Sequence, residues 1–501
     1  MRIFLSFSPE QTPVNRARIG YAFRLFCAIY GHQPVLDAEQ AQTADVWIRY
    51  APGSAQGQQP RPTLKLSSLY QSRSLYEAAP PPKRFEREGE STVLFYSPLP
   101  GQEPDWLGEI FEWVSSADEY SVRARDSVGR VAFAETYLGR HKLDARIPYA
   151  AVAMRFLQRA LCRLAPGAVA EPRSPVESAG HFVIPTHDVD YFPGSHLNSV
   201  YRVAKNAAIS CWLYKSAALG MKQAGMALRR AAGGPDPLDQ IPALAQGESR
   251  RNVSASYYFL LKRYHRRDAN YDLSQPGLTD AMAALERQGF EVGVHGSYTS
   301  LDEPSELAAQ FDSMRARGFR PLGGRQHWLR FTLDRLIPAH ERARALYDSS
   351  MGWPDRLGFR SGACFAFPPY NFEEERPATF IEIPLVMMDQ SLQVGPGEES
   401  DWYHQVAELL SVSRRYGWGG ISLLWHPAAF GGGWLSHAVG DVFWRLMDSR
   451  NERQETWLSA IEFVRSVRQR YIEVGLLSEE YGSAEPEEPV QQPSKGEFVA
   501  A

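Results

Sequence analysis

Asp188 and Asp190 stand two residues apart in Thr186-His187-Asp188-Val189-Asp190, directly after the apolar run His181–Pro185. At a strand end that spacing turns both carboxylates to one side. Two close carboxylates repel, so the pair is costly unless a cation or a shared proton offsets it. A bound metal ion would do so, whereas a surface turn in which an Asp caps its own backbone is the competing reading. A second apolar run delivers His295 in Glu291–His295, followed by Gly296-Ser297-Tyr298. Neutral imidazole is a common ligand for mid-row divalent ions, although a lone His is more often structural. Gly324-Arg325-Gln326-His327-Trp328 carries a rigid guanidinium fork able to position a carboxylate. In the same stretch His327 suits a ligand or a substrate contact, and Trp328 a sugar-stacking ring or a core filler. Leu423-Leu424-Trp425-His426-Pro427 ends another buried run on a His placed for general-acid work, or for a satisfied core position.

These four signals come in order, each at a strand end of one β/α domain. Between residue 181 and about 475, strand patterns alternate with helical ones. The strands are Ala255–Leu261, Glu291–His295, Gly324–His327, Phe380–Pro384 and Gly420–Trp425; the helices include Leu278–Gln288, Glu306–Arg317 and Trp402–Tyr416. The alternation predicts parallel β/α units. Their number predicts a barrel-like arrangement with its chemistry at the C-terminal strand ends. Residues 1–165 predict a smaller α/β domain, with strands Ile3–Phe7 and Val46–Tyr50, a helix over Arg16–Tyr30, and mainly helix from 104 onward. Residues 166–180, rich in Pro, Gly, Ser and Ala, read as a linker. Residues 476–501, dominated from Ser478 by Glu, Pro, Gln and Ser, read as a disordered tail.

A helical insert over 196–250 interrupts the barrel pattern. Within it, 196–233 carries Arg202, Lys205, Lys215, Lys222, Arg229 and Arg230 between apolar residues. That pattern fits a helical hairpin packed on the barrel, or a basic amphipathic element touching an anionic membrane or the substrate. The chain has 501 residues, 44% of them hydrophobic, and a net charge of −4. A large core is therefore available. A nucleic-acid partner is not expected, because such domains are usually strongly basic. Cys27, Cys162, Cys211 and Cys364 lie far apart with no CxxC pair, against a structural zinc site or a disulfide framework. The opening MRIFLSFSPEQ lacks a secretory h-region, and no run is long enough to span a membrane. The expected location is cytoplasmic, at the inner membrane face if the basic insert meets lipid.

Taken in order, the four motifs resemble those of the polysaccharide deacetylase superfamily, the NodB-homology or carbohydrate esterase family four group. The resemblance implies a distorted (β/α) barrel of that type behind a smaller N-terminal α/β domain. It implies Asp188 as general base, Asp190 and His295 as metal ligands, Arg325 orienting the base, and His426, closing a Leu-x-x-His motif from Leu423, as general acid. Asp348–Pro369, with Gly358-Phe359-Arg360-Ser361-Gly362, resembles a segment of capsule- and exopolysaccharide-associated members and adds Arg360 to the substrate candidates Trp328 and Tyr298. Phe367 and Tyr370 are further candidates for lining the sugar site. Residues 1–165 resemble an accessory domain, with landmarks at Trp113–Tyr120 and Asp126–Val131.

One position departs from the pattern. The family's second metal-binding His falls here on Thr299. His327 from the neighbouring strand end, Thr299 itself, or water can complete the set, while His187 should alternate away from Asp188. The implied activity is removal of N-acetyl groups from an amino sugar in a bacterial surface polysaccharide or its precursor. It would depend on a divalent metal, zinc ahead of cobalt or nickel. The alternatives are a catalytically degenerate glycan-binding or scaffold member of the same fold, and a hydrolase of another C–N bond such as a cyclic amide.

Overall fold

The computed structural model describes residues 1–51, 61–70, 79–99, 102–165, 167–176, 180–212, 215–394, 399–431 and 437–481. Part of the expected linker (166 and 177–179) and the expected tail from 482 lie outside the described residues.

Ile3 and Leu5 turn inward on β1 (Arg2–Phe7). This strand joins β2 (Gln33–Val35), β3 (Val46–Ala51) and β4 (Thr63–Ser67) in a parallel sheet of order β2-β1-β3-β4. The helix Pro13–Tyr30 connects β1 to β2. It starts where the Thr12 side chain accepts from the Asn15 amide, with Pro13 in its first turn, and stops at Gly31 with φ +69°. A hairpin of β5 (Lys83–Arg87) and β6 (Glu90–Leu94) turns through Glu88 and Gly89, both at positive φ, as a tight two-residue turn requires. Helices Trp106–Val114 and Tyr149–Leu164 complete this unit.

The second unit is the expected distorted barrel. β7 (His181–Val189), β8 (Ser256–Leu260), β9 (Glu291–Gly296), β10 (Gly323–Gln326) and β11 (Tyr347–Asp348) run side by side and parallel. A short antiparallel pair, β12 (Tyr370–Asn371) with β13 (Arg376–Pro377), leads to β14 (Ile381–Glu382) beside β11. On the far side of β7 lies β16 (Gly419–Leu424), and beyond it β15 (Leu385–Met388). Two residues close the ring. Ile383 donates its N–H to Asp348 O on the β11 side (2.8 Å), and Pro384 O accepts from Ser422 N on the β16 side (2.8 Å). One extended segment thus changes partners midway, with Pro384, which has no amide hydrogen to satisfy, at the switch. β17 (Glu455–Trp457) pairs with the start of β7, ahead of the last helix, Ala460–Glu473. Leu476, Leu477 and Tyr481, beyond that helix, are still buried.

One continuous apolar core runs through both units. Along their seam, Arg18 forms a two-pronged pair with Glu375 (2.9 and 2.6 Å), and Tyr21 Oη donates to Pro368 O (2.7 Å). Arg360 grips Glu119 in the same way (2.8 and 2.6 Å). Among the described residues, no helix is long and apolar enough to cross a membrane.

Candidate active site

Register decides which side chains meet inside the barrel. Asp188 is level with Tyr258, Tyr258 with Gly293, and His295, two residues on, with Arg325. Side chains alternate along each strand, so this set shares the interior face. Space there is tight: a Cβ on Gly293 would stand 2.7 Å from Gly323 O and 2.8 Å from the Tyr258 ring. Glycine leaves room for the tyrosine. His187 points to the opposite face. Its Nδ1 donates to Trp425 O (2.7 Å), and its Nε2 meets Glu248 Oε1 (2.8 Å).

Arg325 forms the floor. Its Nη1 donates to Asp188 Oδ1 (2.8 Å) and Thr186 Oγ1 (3.0 Å), Nε to Ser349 O (2.6 Å), and Nη2 to Ser349 Oγ (2.9 Å) and Ser422 Oγ (3.2 Å). A guanidinium held this way fixes the Asp188 carboxylate, whose second oxygen lies 3.7 Å from His295 Nε2.

Above the floor, Asp190, His295 and His327 form a group suited to a metal ion, their ligand atoms all within 4.8 Å of one another. Asp190 Oδ1 stands 3.4 Å from each imidazole Nε2, yet it is buried and has no hydrogen-bond partner. Tetrahedral ligands at zinc distances lie about 3.3 Å apart, so the two Asp190–imidazole separations match such a shell, while the group as a whole spans up to 4.8 Å. His295 Nδ1 donates to Arg325 O (2.9 Å), which leaves the Nε2 lone pair facing Asp190. His327 Nδ1 faces Asp268 Oδ1 at 3.5 Å without a hydrogen bond between them, so a carboxylate stands behind this imidazole. Two nitrogens and a carboxylate oxygen therefore fit a mid-row divalent ion. Burial opposes charge on His327, but Asp190 and Asp268 outweigh it and raise the imidazole to about 9. Burial likewise opposes charge on Asp190, and the facing His327, His295 and His426 still hold its carboxyl well below the usual range.

His426 approaches from the other side, with Nε2 3.6 Å from Asp190 Oδ2. Asp389 accepts from both its Nδ1 (2.9 Å) and its backbone N–H (2.8 Å). Against burial, Asp389 first and then Asp190 and Asp188 raise His426 to about 9. A cavity of about 110 Å³ opens here, bounded by Asp188, Asp190, Tyr191, Arg202, Asn206 and His426 among others. A larger one, about 1810 Å³, lies at the opposite barrel end, by Glu291, Leu322 and Leu346, and holds none of these groups.

Asp188, Asp190, His295, Arg325, His327 and His426 thus converge. Thr299 turns away and donates to Glu306 Oε2 (2.6 Å). Trp328 is at the rim, half-exposed, with φ +65°; its Nε1 donates to Arg267 O (3.1 Å), and its carbonyl accepts from Arg130 Nη1 (2.7 Å). Tyr298 lies nearby, its ring between the guanidinium groups of Arg267 (5.2 Å) and Arg330 (4.5 Å). Arg360 is placed elsewhere. Glu119 occupies its guanidinium at the seam, where it covers Phe331 (4.3 Å) and Trp353 (4.4 Å). Tyr370 is also at the seam, its ring against Tyr21 and Phe111, and Phe367 is buried in the core. Sequence reasoning missed Asp389 and Asp268. Asp389 carried a usable signal, since it directly follows the apolar β15 just as Asp188 nears the end of β7. Asp268 sits in an irregular loop with no period to mark it. The loop Asp126–Val131 was also not foreseen at the rim: Ser127 O accepts from Arg267 (2.8 Å), and Val128 O from Arg330 (2.7 Å).

No protein-family model matches the chain, and no curated protein matches it. Among solved structures, the chain is similar to a candidate polysaccharide deacetylase from Mycobacterium smegmatis, at 16% identity and TM-score 0.37, over 60% of this chain and 94% of that one. It is also similar to the peptidoglycan deacetylase PdaC from Bacillus subtilis, at 9% identity and TM-score 0.28, over 59% and 96%. A third is a candidate polysaccharide deacetylase involved in O-antigen biosynthesis from Bordetella bronchiseptica, at 14% identity and TM-score 0.27, over 54% and 93%.

Proposed function

We propose that this chain is a metal-dependent N-deacetylase acting on an amino sugar of a bacterial surface polysaccharide or its precursor. The observation that carries this reading is the opposition of Arg325-held Asp188 and Asp389-held His426 across the Asp190–His295–His327 group. A divalent ion on those three residues, zinc ahead of cobalt or nickel, supplies Lewis acidity toward the acetamide oxygen and the attacking water. Asp188, oriented by Arg325, takes the proton from that water. His426 then gives its Nε2 proton to the departing amine, and the products are acetate and a free amino sugar. Each proton-transfer group is worth about 10²–10⁴ in rate. Trp328, half-exposed at the rim, offers a face to a sugar ring, whereas the Tyr298 ring is already covered by Arg267, Arg330 and His265.

The test measures acetate release from N-acetylglucosamine oligomers by the zinc-loaded protein and its Asp188→Asn variant. Release by the parent and loss in the variant support the reading. Full activity in the variant removes Asp188 as base. A glycan-binding, non-catalytic role is the second reading, favoured by Thr299 at the usual His position. Tight glycan binding without acetate release would select it.

A further inference from the structure

The insert hairpin is built inside out. Helices His196–Trp212 and Ala217–Ala231 pack on each other through Ser199, Val203, Ala207 and Ser210 on one side and Gly220, Gln223 and Ala227 on the other, all buried. Ser210 Oγ donates to Gln223 Oε1 across the seam (2.6 Å), and Arg230 Nε donates to Ser199 Oγ (3.1 Å). The helices cross so closely that a Cβ on Gly220 would fall 2.1 Å from Cys211 Sγ. Val203 apart, small and polar residues therefore fill the inside. Five large apolar ones are outside: Leu197, Tyr201, Trp212, Met221 and Leu228 are 64–84% exposed.

Their spacing is regular. Leu197, Tyr201, Ala208 and Trp212 follow one face of the first helix, and Ala217, Met221, Ala224 and Leu228 one face of the second, all exposed. A soluble surface rarely gathers large apolar side chains in this way unless something covers them. Charge indicates what does. Residues 195–234 contain six basic side chains and no Asp or Glu, whereas the whole chain is net acidic at −4. Lys205, Lys222 and Arg229 are exposed beside the apolar stripes. An apolar face that carries exposed cations and no acidic side chain of its own hairpin fits an anionic bilayer surface, into which apolar side chains sink while Lys and Arg meet the headgroups.

We infer that this hairpin docks the protein on an anionic lipid surface, lying in the interface without crossing it. The cavity shares the first helix: Arg202 and Asn206 line it together with Asp190 and His426. Docking therefore sets the mouth of the candidate site beside the headgroups.

Co-sedimentation of the full chain with vesicles tests it, comparing phosphatidylcholine alone with mixtures containing phosphatidylglycerol. The expected result is binding to the anionic vesicles that weakens with salt. Lys205→Gln/Lys222→Gln/Arg229→Gln should weaken it roughly 100-fold at low salt, at about 1 kcal/mol per cation. Tyr201→Ser/Trp212→Ser/Leu228→Ser should abolish it. All six positions are exposed, so both variants should keep the parental melting temperature. Two outcomes overturn the inference. One is no binding to anionic vesicles, or binding that both variants retain. The other is a stable dimer in sedimentation equilibrium that the serine variant dissociates, which would make a second copy the occupant of this face.

Discussion

Asp389 holds His426 at two points, one carboxylate oxygen on the ring Nδ1 (2.9 Å) and the other on the backbone N–H (2.8 Å). The imidazole is thereby fixed in orientation and tautomer, with Nε2 turned toward Asp190. Asp389 is also the leading influence that raises His426. A general acid must carry its proton, so activity should fall as pH rises through its pKa. Asp389→Asn removes the charge that holds the proton, and this alkaline loss should move to lower pH. The rate constant kcat should drop by about 10², with metal content unchanged. A kcat–pH profile of both proteins checks this, and an unmoved alkaline limb would rule out His426 as the acid.

His327 and Thr299 offer opposite outcomes in a metal assay. His327 Nε2 faces Asp190 (3.4 Å), while the Thr299 hydroxyl is committed to Glu306 (2.6 Å). His327→Ala should weaken binding of added Zn²⁺ by 10-fold or more, at least what losing an outer-shell support costs a metal site, about 10–100-fold. Thr299→Ala should leave it unchanged. Calorimetric titration of the metal-free proteins separates the two, and equal affinities for parent and His327→Ala would remove His327 from the ligand set. A protonated His327 must release its proton to bind, so affinity should also fall as pH drops.

Arg325 tests the floor of the site. Its guanidinium is fully buried, with donors on Asp188, Thr186, Ser349 and Ser422. Arg325→Met leaves the Asp188 carboxylate buried without its cation, and breaking such a pair costs about 3–5 kcal/mol. Arg325→Lys keeps the charge but loses the fork, so the remaining acceptors go unsatisfied. Urea denaturation should show both variants destabilised, methionine more so. A loss under about 1 kcal/mol in both would mean that Asp188 does not depend on this pair.

Much of this site was legible because strand ends are marked in sequence. β7, β9 and β16 each run from apolar residues into a polar group, β10 is marked by its own Gly-Gly-Arg-Gln and the His327 that follows, and these four strand ends bring Asp188, Asp190, His295, Arg325, His327 and His426 together. The alternation of β7 also placed His187 on the outer face. Groups set by tertiary contact alone were not legible. Asp268 reaches His327 from a loop without periodicity. Arg360, set by resemblance among the substrate contacts, is drawn to the seam by Glu119, 241 residues away in sequence. Barrel closure was hidden too, because Phe380–Pro384 reads as one strand although the chain changes partners at Pro384.

Two buried histidines set an acid limit on stability. Burial lowers His32, whose Nε2 meets Gln158 Oε1 (2.8 Å), to about 4. Burial, aided by Arg414 and Arg453, lowers His181 to about 3. Both are neutral in the fold, while an unfolded imidazole takes up its proton near 6.5. The unfolded chain therefore binds more protons below 6.5, and stability should be full above that pH and fall as pH drops toward 4. His32 alone accounts for roughly 3 kcal/mol at 1.36 kcal/mol per unit. His32→Gln should flatten the curve of unfolding free energy against pH between about 6.5 and 4. A slope identical to that of the parent would mean His32 titrates alike in both states.

The seam between the units makes a last prediction. The N-terminal unit shares its core with the barrel, and its polar contacts reach Glu375, Pro368 and Arg360. Its loop Asp126–Val131 also supports Arg267 and Arg330, the two cations that enclose Tyr298, and Arg130 holds the Trp328 carbonyl. Removing residues 1–165 would uncover a large apolar face and release the rim of the site together. The shortened chain should therefore fail to fold as a soluble monomer, and the full chain should melt in one transition, because a shared core couples the units. Arg130→Ala is the gentler probe. It should leave the melting temperature within about 2–4 °C of the parent, as expected for under 1 kcal/mol in a large chain. It should also raise KM for a glycan substrate by loosening Trp328. A shortened chain that melts cooperatively and keeps its metal site would make the first unit a separate module, and an unchanged KM in Arg130→Ala would take the loop out of substrate recognition.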